Sequence, residues 1–113
     1  MVFYAPVARL DGYVSAYTEA FRFSERQRSD FLEACARWLH APFTEFEPLH
    51  VATRVDRAAL VFHSTDDREV AFDDARRLST VLGAELRTLE GLGHRRLLKD
   101  ERSLAETVAF LSR

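Results

Sequence analysis

Residues 58–63 begin with an unbroken apolar run, Ala58, Ala59, Leu60, Val61 and Phe62, that is too short for a helix and has no polar alternation. Such a run suits a strand covered on both faces, as in a parallel sheet. Val2, Phe3, Tyr4 and Ala5 form a second buried run that Pro6 ends, and residues 85–90 form a third, weaker strand. There Leu86 and Leu89 fall on opposite faces among charged neighbours, as an edge position tolerates. Its expected neighbour is the 58–63 strand.

Between the strands the pattern changes period. Residues 8–23 carry apolar side chains at irregular intervals, with Gly12 marking a bend, which predicts a loop plus a short helix. Ser24, Glu25, Arg26 and Gln27 spell a capping box, in which the serine hydroxyl and the glutamine amide each satisfy a first-turn N–H of the other's residue. A helix therefore starts there. Phe31, Leu32, Cys35, Trp38 and Leu39 form one apolar stripe along it, the mark of a helix covering a core, and Pro42 ends the run. Residues 41–57, with Pro42 and Pro48, show no sustained period and predict a connection with at most short turns. Asp73 is placed to cap a helix that turns Ala75, Leu78 and Leu82 inward and stops at Gly83. A last helix from about Asp100 presents Leu104, Val108 and Leu111 on one face, which is expected to pack across the sheet. The expected fold is α/β: about three parallel strands with flanking helices and a helical connecting region.

Composition narrows the function. One domain fits 113 residues, and 47% hydrophobic residues suffice for a packed core. Sixteen basic against eighteen acidic residues provide no overall basic field, so nucleic acid is not an expected partner. No apolar run approaches the roughly 20 residues that span a bilayer, and no signal peptide is visible at the N-terminus. A lone cysteine, Cys35, excludes an internal disulfide and fits a reducing, cytoplasmic compartment. Cys35 sits on the apolar stripe with no activating partner, so it reads as a small buried hydrophobe. His40, His50, His63 and His94 lack the paired spacing of metal ligands, and neither a metal nor a cofactor is expected.

The candidate chemistry lies just past the second and third strands. His63, Ser64, Thr65, Asp66, Asp67, Arg68, Glu69 and Val70 follow the first of these, and Gly91, Leu92, Gly93 and His94 follow the other. The carboxyl ends of parallel strands share one edge of a sheet, so loops leaving them can bring an acid and a histidine together. Gly93 lets the backbone bend ahead of the imidazole, and Gly91 permits a similar approach. These two segments resemble the C-terminal part of α/β-hydrolase fold proteins, whose catalytic residues run serine, then acid, then histidine along the chain.

That resemblance implies that Asp67 is the orienting acid, since it stands just ahead of a valine, Val70, and that His94 is the general base. Asp66 is left to shape the turn. On the same resemblance, the strand at residues 2–5 would be the sixth of the family's sheet, residues 6–57 a connecting or cap region, and the two later strands the seventh and eighth. Two spellings depart from the family: Ser64 stands where a glycine is usual and Ala71 where a proline is common. His63 reads either as a core residue with a satisfied ring or as one that backs the site residues without touching substrate.

The family's nucleophile sits in a G-x-S-x-G turn upstream of the acid. Gly12 is the only glycine before Asp67 and has no partner in register, and Ser64 and Ser79 lack the glycine bracket. Residues 1–113 are accordingly expected to be the C-terminal part of a serine hydrolase acting on an ester or similar acyl substrate, inactive alone. Dehalogenases and epoxide hydrolases of the family use an aspartate nucleophile with the same Asp and His layout, so the bond cleaved stays open. The alternative expectation is a non-catalytic module that associates with itself or a partner along the first strand. The cluster of His94, Arg95, Arg96 and Lys99 could hold an anionic group, but solvation is its simpler explanation.

Overall fold

The computed structural model describes residues 1–113. In chain order the elements are β1 (Val2–Tyr4), α1 (Leu10–Ala20), α2 (Glu25–Leu39), a 3-10 turn (Phe43–Phe46), α3 (Pro48–Ala52), β2 (Leu60–Ser64), α4 (Phe72–Leu82), β3 (Glu85–Leu89), a second 3-10 turn (Arg96–Lys99) and α5 (Glu101–Leu111). The strands form one open parallel sheet in the order β1-β2-β3. Val2 pairs with Leu60 on one side of β2, and Leu60 with Glu85 on the other. This is the α/β class expected from the hydrophobic runs.

All five residues of β2 are buried, because a central parallel strand is covered on both faces and its side chains alternate between them. Leu60 and Phe62 meet Phe110 of α5, with Val2, Tyr4 and Leu89 packed around them. Phe62 stacks on Tyr4 with ring centroids 4.9 Å apart. His63 points to the other face, where it meets Phe72 of α4 edge-on. Ala75 and Leu78 of α4 are buried, and Gly83 closes that helix at φ 60° as the pattern required. β1 is half-buried rather than buried, because it forms an edge of the sheet.

Several expectations are corrected, most of them for non-local reasons. The short helix expected within residues 8–23 runs eleven residues, 10–20, with Gly12 inside its first turn rather than at a bend. The Glu47 carboxylate accepts the N–H groups of Leu10 (2.7 Å) and Asp11 (3.1 Å), so the cap of α1 comes from far along the chain. The capping box at Ser24 forms as expected, with both reciprocal bonds in place. Yet α2 has no buried residue, and Trp38 is 80% exposed. Phe31 leans on Tyr17 and Phe23 instead of on the sheet, and Cys35 is only half-buried. His40, in the left-handed region at φ 57°, ends α2 ahead of Pro42.

Asp73 does not cap α4. Ala71 occupies that position, while Asp73 sits in the first turn and pairs with Arg76 and Arg77. In α5 the cap is Asp100, which accepts the Ser103 N–H at 2.8 Å, but the expected inward stripe faces out. Leu104 is exposed, as are Val108 (65%) and Leu111 (66%). Ser103 and Phe110 are buried instead. The Tyr4 hydroxyl bonds the Ser103 carbonyl and the Thr107 hydroxyl, and Arg87 of β3 pairs with Glu106 at 2.8 Å. These contacts turn the polar stripe of α5, one position back along the helix, toward the sheet.

Candidate functional site

Two loops at the carboxyl edge of the sheet build the site. One leaves β2 and carries Asp66 and Asp67; the other leaves β3 and carries Gly91 to His94. Because β2 and β3 are parallel neighbours in register, Ser64 opposite Leu89, both loops emerge side by side. The Thr65 N–H continues the ladder to the Leu89 carbonyl at 2.9 Å.

Asp66 and Ser64 join the two loops. The Ser64 hydroxyl donates to Asp66 Oδ1 and accepts the Leu92 N–H at 3.3 Å, and the same Asp66 oxygen accepts the Gly93 N–H at 3.2 Å. The Ser64 hydroxyl and the Gly93 N–H hold the Asp66 carboxyl below the usual carboxylate range. Asp66 thus shapes more than its own turn: it fixes the backbone that presents His94. Gly91 and Gly93 take φ values of 72° and 59°, a conformation that side chains with a Cβ rarely adopt. The Arg96 guanidinium bonds the Leu92 and Gly91 carbonyls, and Arg95 pairs with Glu69 across the two loops at 3.2 Å. Both arginines of the basic cluster are therefore engaged by the loops themselves.

Within this frame Asp67 Oδ2 lies 2.8 Å from His94 Nδ1. The Asp67 side chain is fully buried, whereas that of His94 is 31% exposed. The other carboxylate oxygen, Oδ1, accepts the Glu69 and Val70 N–H groups at 2.8 and 2.9 Å. Burial acts to raise the Asp67 pKa, but the Val70 N–H, the His94 ring and the Glu69 N–H together outweigh it and leave the group lowered. A carboxylate can only accept, so His94 Nδ1 carries the proton in this contact and the neutral ring holds its lone pair on Nε2. Nε2 has no protein partner. This arrangement can take up a proton at Nε2 while the buried carboxylate stabilises the imidazolium that forms.

His63 lies beneath the pair, fully buried. Its Nε2 bonds the Val70 carbonyl at 3.1 Å and stands 3.4 Å from Asp67 Oδ2, while its Nδ1 is buried without a partner. The expectation of a satisfied core histidine is thus half met. The contact with Asp67 needs the turn at residues 64–67 to fold back on β2. An apolar cavity of about 290 Å³ lies elsewhere, lined among others by Met1, Phe3, Val51, Leu78 and Leu82, and does not adjoin His94. No helix is long and apolar enough to cross a membrane. No protein-family model matches the chain, and no curated protein matches it significantly.

Proposed function

We propose that this chain supplies the acid and the general base of an α/β-hydrolase-type site acting on an ester or related acyl substrate. The nucleophile would come from residues outside these 113. The observation that carries the reading is the buried Asp67 carboxylate bonded to Nδ1 of a partly exposed His94, at the shared carboxyl edge of two parallel strands. In this role His94 Nε2 takes the proton of the attacking hydroxyl and returns it to the leaving group, while Asp67 keeps the ring in the required tautomer. Without a nucleophile and an oxyanion site, most of the machinery is missing.

Hydrolysis of p-nitrophenyl acetate by the chain alone is therefore expected to match that of its His94→Ala variant. Turnover that disappears when Cys35 or a serine of this chain is replaced would place the nucleophile inside it and overturn that part of the reading. The positive test is to supply in trans an N-terminal α/β-hydrolase half that carries a G-x-S-x-G turn. Serine-dependent hydrolysis should appear and fall by about 10⁴-fold on Asp67→Asn, the loss seen when an orienting acid no longer holds the tautomer. Hydrolysis that ignores both Asp67 and His94 would refute the assignment.

A second reading, a module acting through self-association or a partner chain, is favoured by the open edge of β1 and by the uncovered apolar residues of α2 and α5. An unpaired strand edge beside apolar surface is a template for pairing. Light scattering across a concentration range is expected to show a dimer, with β1 amides protected from hydrogen exchange in the dimer and not on dilution. A stable monomer at all concentrations, with the β1 amides protected from hydrogen exchange, would defeat this reading.

A further inference from the structure

We infer that His63 is a positioning residue for the Asp67–His94 pair, acting by clamping the turn that carries the acid. This rests on the acid–base reading of the site and extends it by one residue. Both polar backbone groups of the buried Val70 are held by side chains: its N–H by Asp67 Oδ1 at 2.9 Å and its carbonyl by His63 Nε2 at 3.1 Å. His63 therefore closes the 67–70 turn from the sheet side, while Asp67 closes it from within. The same His63 nitrogen stands 3.4 Å from Asp67 Oδ2, the oxygen that receives His94. One carboxylate oxygen thus lies between two imidazoles.

The protonation pattern follows from the partners. Val70 O and Asp67 Oδ2 are both acceptors, so His63 Nε2 carries the proton and Nδ1 holds the lone pair. That Nδ1 is buried and unpartnered, in a place where the ring already packs edge-on against Phe72, with centroids 5.8 Å apart. A phenylalanine would fill the same space with no orphaned nitrogen. An unsatisfied buried polar group works against stability, and a native structure that keeps one calls for a reason. The Nε2–H clamp is that reason: it gives the Val70 carbonyl a partner and limits where the Asp67 carboxylate can swing.

The test compares His63→Phe, which keeps the ring and removes the donor, with His63→Gln, whose side-chain amide carries an N–H at the reach of imidazole Nε2. Nitrogen-15 spectra of the full chain report the His94 tautomer and the solvent exchange of its Nδ1 proton. His63→Phe is expected to speed that exchange by about tenfold, the worth of one hydrogen bond, and to mix the two tautomers. His63→Gln should restore the wild-type pattern. An unchanged His94 signal in folded His63→Phe, or no rescue by His63→Gln, overturns the inference. Should neither variant fold, the wild-type spectrum still decides: His63 must be protonated at Nε2 and bare at Nδ1, and the reverse tautomer refutes the clamp. None of these readouts depends on turnover, so failure of the acyl-transfer reading would appear separately, in the hydrolysis assay.

Discussion

Replacing Phe62 with alanine is expected to lower the unfolding free energy by about 3–5 kcal/mol, the usual cost of truncating a buried phenylalanine. Phe62 is fully buried in the central strand, stacks on Tyr4 and meets Phe110 of α5. The deletion would therefore open a cavity where β1, β2 and α5 converge. Small domains have only about 5–15 kcal/mol in total, so the variant should unfold at a clearly lower urea midpoint than the wild type. Phe21→Ala is the control, because Phe21 is largely exposed and its loss should change stability by about 0.5 kcal/mol or less. Equal effects from the two substitutions, followed by urea titration of far-ultraviolet circular dichroism, would mean that the core does not lie where Phe62 places it.

Asp67 gives the second large effect, and its two variants separate structure from chemistry. Asp67→Ala removes the acceptor for the Glu69 and Val70 N–H groups and for His94, at a cost of about 1–3 kcal/mol for the donors left unpaired. Asp67→Asn can still accept the two backbone N–H groups through its amide oxygen. Its NH₂ group, however, opposes the His94 Nδ1 proton, so the His94 tautomer should reverse with a smaller loss of stability. Asp66→Asn should leave that tautomer in place, because Asp66 contacts the Gly93 backbone and not the ring.

The Asp67 effect is also pH-dependent. Its folded pKa is lowered, so its stabilising contribution is complete above the unfolded carboxylate value of about 3.9 and is lost as pH falls through the folded value. The stability gap between wild type and Asp67→Ala should therefore persist at neutral pH and close in acid. A gap that widened in acid would show that the carboxyl is stabilised in its protonated form.

Legibility in the sequence followed the range of the interactions. The strand expected over residues 58–63, found at 60–64, was readable because a strand buried on both faces carries an apolar run. The start of α2 was readable because its cap lies within three residues, and the end of α4 because Gly83 alone relieves a left-handed backbone there. The two loops were readable as turn-rich segments after two strands, and the structure brings Asp67, not Asp66, to 2.8 Å from His94. By contrast, α1 owes its first turn to Glu47, which no local window around Leu10 contains.

Determined by the sequence alone were the elements whose free energy is local: the strand β2, the capped start of α2, the glycine stop of α4, and the two loops rich in turn residues at the strand ends. Tertiary structure decided which face each helix buries. On α5 the stripes through Leu104 and through Ser103 are neighbours on one cylinder, and apolar content favoured the first. Tyr4 and Arg87 instead bind the second, and hydrogen bonds to fixed partners outrank an apolar stripe that a three-stranded sheet is too narrow to cover. Tertiary structure likewise made Asp66 the tie between loops and set His63 against the acid. Both contacts join residues on opposite sides of a turn or on different strands, and they exist only once the parallel register has brought the carboxyl ends of β2 and β3 together.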